Sequence, residues 1–83
     1  MNTLAEKYSQ LIQQEDSYFK QVRTTEMCMT ALFEYTIQYG ELLNKLAVED
    51  ILNAIHQIEM NMRTELLHLR LEKAFLACAM KEY

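Results

Sequence analysis

Turn-forming residues are almost missing from this 83-residue chain, which contains one glycine, Gly40, and no proline. Strand-rich folds need such residues at the turns between their strands. Valine, isoleucine and threonine, which favour strands, fill only 13 of the 83 positions. Alanine, leucine, methionine, glutamate, glutamine, lysine and arginine lose little side-chain freedom in a helix, and they fill 49 positions. The composition therefore predicts an all-α protein.

Long apolar runs are also missing. The longest uncharged apolar stretch, residues 74–80, has 7 residues, whereas a transmembrane helix needs roughly 18. Residues 1–7 show no basic stretch followed by an apolar one, so they do not resemble a signal peptide. The two cysteines, Cys28 and Cys78, are too far apart in sequence to form a metal-binding motif. We therefore expect a cytoplasmic protein with reduced thiols, no membrane span and no cofactor.

Clustered positive charge is absent as well. The chain carries 12 acidic and 8 basic residues, for a net charge of −4. Arg63, Arg70 and Lys73 come closest to a basic cluster, and they are spread over three helical turns. Because nucleic-acid binding relies on clustered lysine and arginine, it is disfavoured. A small helical regulator of transcription, or one that binds RNA through these three residues, stays an alternative.

The first half of the chain predicts one long helix. Thr3 and Glu6 have the spacing of a capping box, which marks a helix start. Apolar residues then recur three or four positions apart as far as Tyr39, as on one buried helical face. Glu15 interrupts this pattern, and the Asp16–Ser17 pair that follows could cap a new helix. A break in the first helix would therefore fall at residues 15–17.

The second half predicts a second helix that folds back on the first. Gly40 could take the left-handed conformation that ends a helix, and Asn44 is suited to cap the next one. Apolar residues recur at helical spacing from Val48 to Met80. A connection of about five residues makes the helices antiparallel. We therefore expect one helical domain over residues 1–83, with the fold of an antiparallel hairpin.

The end of the second helix carries more apolar surface than one helix partner can cover. Beside the main stripe runs a second one, at intervals of four, three and four residues, formed by Leu67, Leu71, Ala74 and Cys78. A helix that is apolar on two sides is buried on two sides. We expect either homodimerisation into a four-helix bundle, as in a coiled coil, or binding of another helical protein. The predicted contact residues are Leu67, Leu71, Phe75 and Cys78, together with Leu69 and Leu76, which we expect to be divided between the core and the interface.

A metal site is a further alternative. Glu65 and His68 have the Glu-x-x-His spacing of dimeric ferritin-like bundles, and Glu15 could supply a carboxylate from the facing helix. A homodimer would contain two copies of each ligand. Against this, Leu66 and Leu69 compete for the same helical face.

Catalytic groups do not form a recognisable set. The chain has no glycine-rich phosphate loop and no serine close in sequence to a histidine. A two-helix protein also offers no deep cleft. We therefore expect a non-enzymatic protein that binds other proteins, such as an adaptor, a regulatory subunit or a small chaperone.

Overall fold

Two long helices make up nearly all of the computed structural model, which describes residues 3–81. Helix α1 spans Thr3–Tyr39 and helix α2 spans Lys45–Lys81, each with 37 residues. They pack against each other over their length as a rod of 63 × 15 × 15 Å. The predicted all-α antiparallel hairpin is confirmed. Within the described residues, no helix is long and apolar enough to cross a membrane.

Helix α1 runs without interruption through residues 15–17, where a break could have fallen. Glu15 is buried at this point. Its carboxylate accepts hydrogen bonds from Lys73 and Arg70 of α2, so the charge is compensated by the facing helix. The helix can therefore continue through an acidic residue at a buried position.

The turn between the helices does not use a left-handed glycine. No described residue has a positive φ, so the prediction for Gly40 is wrong. Helix α1 instead tightens into a 3₁₀ turn over Gly40–Leu42, and the Leu43 N–H donates to the Gly40 carbonyl at 3.1 Å. Leu43 is extended, with φ −104° and ψ 147°, and this residue redirects the chain.

Asn44 caps α2 as predicted. Its side-chain oxygen Oδ1 accepts a hydrogen bond from the Ala47 N–H at 2.9 Å. Its carbonyl accepts the first helical bond, from the Val48 N–H at 3.1 Å. These are the two contacts expected of a helix N-cap.

A single seam with heptad spacing joins the two helices. Between Tyr8 and Thr36, the side chains that are not exposed follow strictly alternating intervals of three and four residues: Tyr8, Leu11, Glu15, Tyr18, Val22, Thr25, Met29, Leu32 and Thr36. Helix α2 repeats the pattern with Val48, Leu52, Ile55, Glu59, Met62, Leu66, Leu69, Lys73 and Leu76. This spacing is that of an antiparallel coiled coil.

The resulting core is thin. Only Leu11, Val22 and Leu66 are buried apolar residues within residues 3–81. The Cα radius of gyration is 18.7 Å, whereas a compact chain of this length has about 12 Å. The hairpin therefore stabilises itself through one seam and leaves its other apolar side chains at the surface.

Candidate interaction surface

The outer side of α2 carries a continuous apolar stripe near its C-terminal end. We call Leu67, Leu71, Ala74 and Cys78 the outer stripe; all four are exposed, and Phe75 lies beside them. Leu67, Leu71 and Phe75 are 64%, 58% and 69% exposed. Their intervals of three and four residues place the stripe on one side of the helix. This surface contains four of the six contact residues predicted from the sequence.

The other two predicted contact residues lie elsewhere. Leu69 and Leu76 occupy seam positions and are half-buried in the hairpin. Their side chains contribute to packing between α1 and α2, because Leu69 follows the seam residue Leu66 by three positions and Leu76 follows the seam residue Lys73 by three. The candidate surface therefore consists of the outer stripe and Phe75.

The exposed area of the hairpin is large for its mass. The chain exposes 6739 Å². A compact monomeric protein of 9.9 kDa exposes about 5,200 Å², so this chain exposes about 1,500 Å² more. Monomeric proteins rarely display extended apolar patches, and such patches mark interaction sites. The elongated hairpin therefore exposes more surface than a compact protein of its mass, and the outer stripe is an apolar part of that surface.

A network of ion pairs joins α1 to the C-terminal half of α2, the part of the helix that carries the outer stripe. Lys73 Nζ donates to Glu15 Oε1 at 2.7 Å, and Arg70 Nε donates to Glu15 Oε2 at 3.3 Å. The hydrogen bond from Lys73 lowers the pKa of Glu15 below its ordinary 4.5, outweighing the desolvation that raises it. The same bond raises the pKa of Lys73 above its ordinary 10.5. Glu15 is therefore held ionised by two cations of α2.

A second polar cluster lies nearer the middle of the rod. Arg63 donates to Glu59 at 3.0 Å through Nε and to Glu26 of α1 through Nη2. The bond to Glu59 raises the pKa of Arg63. The Thr25 hydroxyl lies 3.5 Å from Glu59 Oε1, so the buried carboxylate has polar neighbours on both helices. The seam thus contains two clusters of compensated charge.

These clusters bear on the nucleic-acid alternative. Arg63, Arg70 and Lys73 each form an ion pair with a glutamate of the same chain. Phosphate contacts would have to compete with these internal pairs. Lys73 lies in the seam, and Arg63 and Arg70 lie exposed beside it, where each is paired with a glutamate.

The three residues of the metal alternative do not come together as a ligand set. Glu15 accepts hydrogen bonds from Lys73 and Arg70, whereas Glu65 and His68 are exposed on α2. Across the part of the chain that the structure describes, no three histidine, cysteine, aspartate or glutamate side chains are grouped to hold a metal ion. A site assembled from two copies of the chain stays a prediction.

Some exposed apolar residues were not anticipated from the sequence. Ile12, Phe19 and Phe33 flank the seam on α1, and Arg70 lies over Phe19 with Cζ 4.8 Å from the ring centroid. At the turn end, Ile37 and Leu46 are also exposed, together with Leu42. The strict heptad intervals would have separated the four residues on α1 from the seam, because each follows a seam residue directly, whereas Leu42 and Leu46 lie at the turn before the first seam residue of α2.

Both cysteines are free thiols. Cys28 lies exposed on α1 and Cys78 lies exposed in the outer stripe. The chain therefore carries one thiol inside the candidate surface and one outside it.

Comparison of this chain with protein-family models, curated proteins and solved structures gives no match.

Proposed function

We propose that this chain is a non-enzymatic protein–protein interaction module of the cytoplasm, with the role of an adaptor, regulatory subunit or small chaperone. It binds a helical segment through the outer stripe of α2 and Phe75. The observation that carries the proposal is the exposure of apolar side chains at helical spacing along one continuous helix.

The mode of binding follows from the shape of the surface. Anchors three and four residues apart are the pattern by which one amphipathic helix packs on another. Leu71 lies at the centre of the outer stripe, between Leu67 and Ala74. Central, fully desolvated anchors contribute most to binding in such interfaces. Leu71 is therefore the residue whose environment should change most when a partner binds.

The charge of the surface is compatible with this role. Arg63 and Arg70 flank the stripe and are paired with glutamates of the same chain, whereas Lys81, three residues after Cys78, adds one exposed positive charge at the end of the stripe. The acidic residues Glu65 and Glu72 point away from the stripe, as their helical angles require. The partner consequently meets a surface that is mostly apolar and has little net charge.

Site-specific photo-crosslinking in the source cells tests the proposal. A benzophenone amino acid is placed at Leu71 or, as the matched control, at Gln57, which lies two heptads earlier on the same side of α2. We expect a protein adduct from position 71 and none from position 57. Adducts that are equal at both positions, or absent from both, would contradict the proposal.

A further inference from the structure

The spacing of residues in the outer stripe is symmetric. Its intervals of four, three and four residues are symmetric about a point between Glu72 and Lys73. Two antiparallel copies related by a twofold axis would therefore place Leu67 opposite the second copy's position 78, and Leu71 opposite its position 74. Such an isologous interface needs a surface that is complementary to itself.

The side-chain sizes fit this antiparallel arrangement. The first half of the stripe holds two large residues, Leu67 and Leu71, and the second half holds two small ones, Ala74 and Cys78. Antiparallel pairing sets each large side chain against a small one, which is how facing layers interdigitate. Parallel pairing would set leucine against leucine and alanine against alanine, leaving the spacing between the helices uneven.

The surface area is sufficient for a second copy. The chain exposes 6739 Å², about 1,500 Å² above a compact protein of its mass. A standard protein–protein interface buries about 800 Å² on each partner. The excess belongs to the whole rod and is larger than the area that one copy has to bury, so a second hairpin can bind without unfolding the seam.

We infer that the occupant of the outer stripe is a second copy of this chain, bound antiparallel through α2 in this register. This inference rests on the proposed function, since it names the partner of the same surface. The C-terminal half of α2 is then covered on one side by α1 and on the other by the second α2. Phe75 lies at the edge of this contact, beside the stripe.

Disulfide trapping of the purified protein tests the register. In a Cys28→Ser background, Leu67→Cys places a thiol opposite Cys78 of the second copy. Within one chain, positions 67 and 78 are about 16 Å apart along the helix, too far for a disulfide. We expect rapid formation of a covalent dimer under mild oxidation. In the Cys28→Ser protein without the second change, the Cys78 thiols of the two copies do not oppose each other in this register. This protein should therefore crosslink slowly.

A second pair keeps the test independent of the apolar residues. Thr64→Cys with Lys81→Cys, in a Cys28→Ser and Cys78→Ser background, uses two exposed positions that oppose each other in the same register. Rapid crosslinking of this variant is also expected. Circular dichroism verifies that each variant remains helical.

The outcomes separate the two proposals. Crosslinking of Cys28→Ser alone through Cys78, as fast as that of Leu67→Cys, would indicate a parallel dimer and overturn the inferred register. Failure of both designed pairs to crosslink would overturn the second copy as occupant. If position 71 then still gives a photo-adduct with a different protein, the proposed function stands and only this inference falls. If position 71 gives no adduct either, both fall.

Discussion

Lys73 Nζ and Glu15 Oε1 are 2.7 Å apart although the two residues are separated by 58 positions in sequence. The contact joins the beginning of α1 to the end of α2 inside a seam that is otherwise largely apolar. Such a pair costs desolvation and adds little stability over a well-packed apolar pair, but removal of one partner leaves the other charge uncompensated, and the pair can fix register and orientation. We expect Glu15 to align the helices so that the outer stripe is presented on α2.

The stability of the hairpin should depend on pH at both extremes. Because the folded-state pKa of Glu15 lies below 4.5, its contribution is complete above pH 4.5 and is lost as the pH falls through the folded value. Because the folded-state pKa of Lys73 lies above 10.5, its contribution is complete below pH 10.5 and is lost as the pH rises through the folded value. The melting temperature should therefore be flat around neutral pH and fall on either side.

Replacement of Glu15 isolates this contribution. Glu15→Gln should lower the melting temperature at neutral pH and make its decrease in acid shallower. Glu34→Gln removes the same charge from an exposed position of α1 and is the matched control. Thermal melts followed by circular dichroism from pH 3 to pH 8 measure both effects. Equal effects from the two variants would show that Glu15 contributes no more than a surface charge.

Gly40 should be replaceable by alanine. It has no positive φ, and an added Cβ would meet only Thr36 Cγ2, at 3.9 Å. Since alanine restricts the unfolded chain more than glycine does, Gly40→Ala should raise stability by about 0.5–1 kcal/mol. Chemical denaturation at equilibrium measures the change in the free energy of unfolding. A loss of stability would mean that the turn does require glycine.

The N-cap at Asn44 should contribute measurably to the free energy of unfolding. Asn44→Ala removes the acceptor of the Ala47 N–H and should cost about 1 kcal/mol. Asn44→Asp keeps an acceptor at the helix start and should retain most of the stability. The same denaturation experiment compares the two. If both variants lose equally, the side-chain bond is not what holds the start of α2.

The fold could be predicted from the sequence, but the exposed apolar surface could be predicted only in part. The scarcity of turn residues and the helical periodicity predicted two antiparallel helices, and Asn44 was recognised as a cap because capping is local. The ion partners of Glu15 lie on the other helix, so a local pattern could only mark this residue as an interruption. Phe19 fits a loose apolar stripe, yet strict heptad spacing puts it beside the seam, where it is exposed.

The surface on α2 was predictable for a related reason. Leu67 and Leu71 do not fit the main stripe of their own helix, so the sequence showed an apolar excess there. Leu69 and Leu76 fit the main stripe and are half-buried against α1. Which side chains remain for a partner follows only when the register of the seam is known.

The mass of the protein in solution tests the central claim most directly. Sedimentation equilibrium over a range of concentrations should give twice the 9.9 kDa of one chain for the wild type. Gln57→Glu should give the same mass, whereas Leu71→Glu should give the mass of one chain while remaining helical. A wild-type mass of one chain at every concentration, or a dimer that survives Leu71→Glu, would contradict pairing through the outer stripe.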